Sequence, residues 1–146
     1  MHSIDPLSLP CSIASGDFNS DTLSDIVFVN CNSDRIGVIL GIANSSFGYL
    51  MNYSTGAYSS YHSVAVIDIN NDTKLDIVVT NQEVNNVGVF PGYGNGTFST
   101  VISIQLIEYG SNQFSTVFGD FNGNKKIDIV VANNGTDSLS ILLQTC

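Results

Sequence analysis

The sequence predicts an all-β fold of three repeated antiparallel sheets, and three observations carry that prediction. A nine-residue acidic loop occurs three times, as DFNSDTLSD at 17–25, DINNDTKLD at 68–76 and DFNGNKKID at 120–128, with starts 51 and 52 residues apart. Each loop runs straight into a short apolar, mostly β-branched stretch, IVFV, IVVT or IVVA. No segment sustains the apolar spacing of an amphipathic helix.

Taken in chain order, each repeat has the same parts. A first strand, at 12–16, 63–67 and 115–119, leads into the loop. The second strand, at 26–29, 77–80 and 129–132, does not alternate apolar with polar, so both of its faces are expected to be buried. A polar, Asn-rich turn then leads to a third strand at 36–40, 87–90 and 139–143. The first two repeats continue through a Gly/Asn turn to a fourth strand, near 47–53 and 98–106. The third repeat stops after its third strand. Four short antiparallel strands that must bury both faces are satisfied by stacking one sheet on the next, which is the blade of a β-propeller.

At 146 residues and 15.6 kDa the chain has the length of one domain, but the period near 50 makes the repeat its natural unit. Formal charge is −9 with four basic residues, and eight of the thirteen acidic residues fall inside the three loops. Carboxylates gathered at fixed positions need compensation by cations, and three divalent ions, six positive charges, would bring −9 to −3. An acidic surface without a basic patch excludes nucleic-acid binding. No apolar run is long enough to insert in a membrane, and MHSIDPLSLP has neither the basic nor the apolar region of a secretory signal peptide.

Within each loop, oxygen-bearing side chains stand at positions one, three, five and nine, with a backbone carbonyl at position seven. These are Asp17, Asn19, Asp21, Leu23 (carbonyl) and Asp25; Asp68, Asn70, Asp72, Lys74 (carbonyl) and Asp76; and Asp120, Asn122, Asn124, Lys126 (carbonyl) and Asp128. Hard oxygen ligands in this number suit calcium, and no Cys or His cluster accompanies a loop to suggest zinc or copper. An EF-hand needs Glu at position twelve and flanking helices, whereas Phe28, Val79 and Val131 occupy that position. Two calcium sites are expected in the first two loops. A weaker third is expected where Asn124 replaces a carboxylate and Lys125 and Lys126 add positive charge.

The stretch GDFNSDTLSDIVFVN, its two cognates, and the endings Ser46-Phe47-Gly48 and Gly96-Thr97-Phe98 resemble the FG-GAP (VCBS) repeat of integrin α-subunit-type propellers, over essentially the whole chain. The resemblance implies blades at 11–61, 62–112 and 113–146 (truncated), within a single repeat region at 1–146. It also implies calcium in the loop between the first two strands of a blade. Such rings usually have seven blades, so three imply an incomplete ring, completed by further blades or by homo-oligomerisation. The expected function is a non-enzymatic, calcium-stabilised segment of an extracellular or secreted adhesion or ligand-binding protein with a protein or glycan ligand. The alternatives are the accessory propeller of a secreted enzyme and a lectin formed by oligomerised blades.

Other features carry less. Cys11 and Cys31 are equidistant from residue 21, which permits a disulfide across a hairpin; two small buried thiols are the alternative, and Cys146 has no evident partner. Sequons at Asn44, Asn52, Asn71, Asn95 and Asn134 are weakened by the abundance of Asn, Ser and Thr, and Asn71 lies inside a loop. Gly92, Gly94 and Gly96 have no following helix and read as a hairpin turn, not a phosphate cradle. His62 has Ser and Asp neighbours but no second catalytic His, and His2 lies at the terminus. Tyr49, Tyr53, Tyr58, Tyr61, Tyr93 and Tyr109 fall mainly outside the inner strands, as rim and inter-blade packing or as a carbohydrate- or protein-contacting surface.

Overall fold

The computed structural model describes residues 9–31, 33–44, 46–56, 61–81, 86–105 and 113–145. His2, Tyr58, Tyr109 and Cys146 lie outside the described residues. Among those described are eleven strands and no helix, so no helix is long and apolar enough to cross a membrane.

The first sheet comprises β1 (Pro10–Gly16), β2 (Asp25–Asn30), β3 (Arg35–Ile42) and β4 (Ser46–Ser54). The second comprises β5 (Tyr61–Ile67), β6 (Asp76–Asn81), β7 (Asn86–Phe90) and β8 (Ile102–Gln105). The third comprises β9 (Gln113–Gly119), β10 (Asp128–Asn133) and β11 (Ser138–Leu142). Strands follow one another in sequence order across every sheet, all antiparallel, and the third has three strands, as the early end of its repeat predicts. No sheet closes on itself; three stacked sheets of this kind are a partial propeller.

Strand positions match expectation closely, with one difference. Residues 98–101 do not extend the fourth strand of the second sheet; Phe98 forms an isolated bridge to Gly92, and β8 begins at Ile102. Phe98 is drawn inward instead, where its ring meets Phe18 edge-on at 5.2 Å and Tyr53 at 5.7 Å.

The first strands of successive sheets lie side by side, β1 against β5 and β5 against β9. One apolar core fills the space between the first and second sheets, built on Val27, Val29, Ile36 and Val38 from one side and Val64, Ile77, Val79 and Phe90 from the other. A second core, with Val78, Val87 and Val89 facing Ile129 and Val131, joins the second sheet to the third. Successive residues of β6 therefore point into different cores, and all six are buried. In β2 and β10 burial is less complete at Ile26, Val130 and Ala132, because the outer sheets each have one neighbouring sheet. Tyr61 takes the inter-blade alternative: it lies in β5, 1 % exposed, inside the core between the first two sheets.

Cys11 and Cys31 form a disulfide with a Cα–Cα distance of 5.8 Å. Cys11 occupies a bulge in β1 between Pro10 and Ser12, and the Cys31 N–H donates to the Leu9 carbonyl at 2.9 Å. The alternative of two buried thiols is overturned, since Cys11 is exposed and Cys31 half-buried.

Candidate functional site

All three acidic loops fold by one hydrogen-bonding scheme. The position-one carboxylate accepts the N–H of position five through Oδ1 and of position six through Oδ2: Asp21 and Thr22 on Asp17 (3.1 and 2.8 Å), Asp72 and Thr73 on Asp68 (3.0 and 2.7 Å), and Asn124 and Lys125 on Asp120 (3.0 and 2.8 Å). The position-five N–H also donates to the Asn at position three, and the position-seven N–H to the side chain at position five. Short Asp and Asn side chains bond backbone in this way because their oxygens reach an N–H two residues on.

The backbone must turn twice to allow it. Positions four and six are left-handed in every loop: Ser20 and Thr22 (φ 61° and 70°), Asn71 and Thr73 (60° and 70°), Gly123 and Lys125 (77° and 65°). For a β-branched residue such as Thr this region is sterically costly, so the side-chain bonds and the strands on either side must hold it there.

Position nine differs from the rest. Asp25, Asp76 and Asp128 are fully buried, and each accepts two backbone N–H groups. One comes from position two of its own loop: Phe18 at 2.7 Å, Ile69 at 3.1 Å, Phe121 at 2.9 Å. The other comes from the end of the third strand or just past it: Gly41 of β3 at 2.7 Å, and Gly92 at 2.8 Å and Gln144 at 2.8 Å beyond β7 and β11. Sequence reasoning named these aspartates as ligands and missed this second task. The available signal was the constant spacing of 16 residues from each to its far donor. A glycine suits two of those positions, because a Cβ on Gly41 would lie 2.7 Å from the Ser24 carbonyl oxygen and one on Gly92 would strike that of Leu75.

Electrostatics separate the carboxylates. Burial pushes Asp17 upward, but the N–H groups of Thr22, Asp21, Ser20 and Asn19 together outweigh it and hold the carboxyl below its ordinary value. Asp76 moves the other way. Burial raises it, the Gly92 and Ile69 N–H groups oppose the rise, and the charges of Asp72 and Asp68 add to it.

The third loop is the least acidic and the most engaged. Asn124 donates through Nδ2 to the Gln144 carbonyl at 2.6 Å, and the Lys126 ammonium donates to the Thr145 carbonyl at 2.9 Å. In the second loop the one charged pairing is Lys74 with Asp72 at 3.7 Å, between exposed side chains. Asn71 holds the Lys125 carbonyl at 3.5 Å, so this sequon side chain bridges two loops. The loops also reach the next sheet: Gly96 N–H donates to the Phe18 carbonyl at 2.8 Å, and Gln144 Nε2 to the Ile69 carbonyl at 3.2 Å.

The predicted ligands are thus neighbours on one loop, oxygen-only, and suited in type to calcium. The three carboxylates of the first or second loop do not all lie within 4.8 Å of one another. Binding a cation requires them to approach more closely, and Asp21 and Asp72, both exposed, have the room. Among the described residues the group that does meet that distance is Cys11, Cys31 and His62, whose Nδ1 lies 3.4 Å from Cys31 Sγ. With both sulfurs in a disulfide, no thiolate is available there as a ligand.

Among known proteins, a family model described as FG-GAP-like repeat matches residues 17–79 and again 68–131, in register with the loops. No curated protein matches the chain.

Proposed function

Since the chain belongs to the FG-GAP-like repeat family, we propose that it is a calcium-braced, non-catalytic propeller segment of an extracellular adhesion or ligand-binding protein. The observation that carries this reading is the identical loop scheme in all three repeats, with left-handed backbone at positions four and six.

In the first loop Asp17, Asn19, Asp21, Asp25 and the Leu23 carbonyl would hold the ion. In the second Asp68, Asn70, Asp72, Asp76 and the Lys74 carbonyl would do so. Bound calcium would supply positive charge where burial and, after it, the charges of Asp72 and Asp68 raise Asp76. The chain's own residues do the rest: position one orders the loop backbone, position five closes toward the ion, and position nine ties the loop to the end of the third strand. The third loop is the weakest site, because its position-five amide holds the Gln144 carbonyl and two lysines flank it. A protein or glycan ligand would bind on loops exposed by several blades, with Tyr49 (96 % exposed) and Tyr93 (56 %) as available aromatic contacts.

Thermal unfolding in calcium and in chelator tests the reading. Ligand that binds only the folded state stabilises it by about 2.7 kcal/mol per site at a free concentration about a hundredfold above Kd. A clear rise in Tm with calcium, larger than with magnesium, is expected. Equal Tm in calcium and chelator would overturn it.

A further inference from the structure

The two ends of the stack expose the two halves of the contact that joins its blades. The face of the first sheet that meets the second carries Val27, Ile36 and Val38, all 0 % exposed. By strand register, Val78, Val87 and Val89 are their counterparts in the second sheet, buried against the third. Their counterparts in the third sheet are Val130, half-buried, Leu139, 66 % exposed, and Ile141, 59 % exposed. Position two of the loop behaves alike: Phe18 and Ile69 are buried, and Phe121 is 54 % exposed.

The opposite face gives the complementary result. Val64, Ile77 and Val79 of the second sheet pack into the first core. Their counterparts in the first sheet are Ile13, 69 % exposed, Ile26, half-buried, and Phe28, whose ring lies over Gly37 of its own sheet. With Pro10 and Ile39 they line an open groove of about 410 Å³.

From this we infer that a second copy of the chain docks head to tail, the free face of the third sheet of one copy seating on the free face of the first sheet of the other. Inside the chain these positions are covered at both internal junctions by a blade of the same chain in the same orientation. A second copy supplies each missing half at once, so the contact is heterologous and two copies provide it twice. The inference rests on the blade reading of the three sheets and not on calcium. Val130, Leu139 and Ile141 of one copy and Ile13, Ile26 and Phe28 of the other would bury the apolar surface now open at each end.

Solution mass over about 1 to about 100 µM, by sedimentation or light scattering, is the test, since interfaces of ordinary size are occupied in that range. A mass of twice 15.6 kDa is expected. The double variant Leu139→Asp/Ile141→Asp and the single variant Ile13→Asp should each be monomeric. Both alter exposed positions, so unchanged circular dichroism will show that the blades remain folded. Mixed one to one, the two variants retain one intact tail and one intact head, and a heterodimer should form. Wild-type protein that stays monomeric throughout, or variants that do not associate on mixing, would overturn the inference. Runs in calcium and in chelator separate the two proposals. A dimer whose Tm ignores calcium removes only the calcium brace, and a calcium-stabilised monomer removes only the docking.

Discussion

Position nine shows how one residue serves fold and site together. Asp76 is buried and joins two backbone N–H groups that no other described side chain serves, one in its loop and one past the end of β7. Asp76→Ala should therefore cost stability in chelator as well as in calcium, by about 2–4 kcal/mol for two buried donors left unpaired. In calcium the loss should exceed that of Asp128→Ala, whose loop is proposed as the weaker site. Asp72→Ala, at an exposed position, should cost under about 1 kcal/mol in chelator and remove the second loop's response to calcium; denaturant titration of both variants in both conditions separates the roles. Tyr61 allows a test by pH. Burial raises its hydroxyl above the ordinary value of 10.0, against the opposing bonds with Asn81 and Ser103. The folded state thus holds the proton more tightly than the unfolded chain, so this contribution is full below pH 10.0 and is lost as pH climbs through the raised value. Tyr61→Phe should cost about 1 kcal/mol at neutral pH and flatten the alkaline decline in Tm.

At the scale of elements, the acidic loop and the strand that follows it act as one unit. In the first two loops the position-two carbonyl receives a bond from the next sheet, while the position-two side chain enters the core between them. Ordering a loop with an ion therefore orders a blade junction too. At the other end of the first blade, the disulfide fixes β1 to the turn between β2 and β3, across a sequence separation of 20. Closing a loop of that length restricts the unfolded chain by about 3 kcal/mol. Cys11→Ser/Cys31→Ser should lower stability by that order in denaturant titration, and reductant should add nothing further to the variant. The sulfurs also touch the second blade, at the Tyr61 carbonyl (3.4 Å from Cys31 Sγ) and at His62. The disulfide has no S–H, so these are packing contacts and not donated bonds.

The whole molecule is a stack in which only the middle blade is fully covered. That explains why β6 is buried on both faces while β2 and β10 keep one face partly open, although the three sequences are nearly interchangeable. It also explains where the charge sits. Carboxylates are concentrated in loops, leaving the sheet faces apolar enough to stack, and calcium bound as proposed would act on the loops without entering the cores. Stability should accordingly depend on two separable contributions, ions at the loops and apolar contact at the ends, which the calcium and mass experiments read independently.

The sequence by itself determined the repeat, its strand order, the truncated third sheet and the loop oxygens. Each of these is local and recurs three times, as DxNxDxxxD or its Asn124 variant followed by a β-branched run. Possible pairing of Cys11 with Cys31 was legible too, since a hairpin centred on residue 21 brings them opposite. Only the tertiary structure settles which of the equivalent residues is buried. Val38, Val89 and Ile141 share one position in the repeat, and only the presence or absence of a neighbouring sheet distinguishes them. It alone showed that position nine spends its oxygens on two distant N–H groups, because the second donor comes from the end of another strand. Tyr61 follows the same rule: whether it sits at the rim or between blades depends on the adjoining sheet.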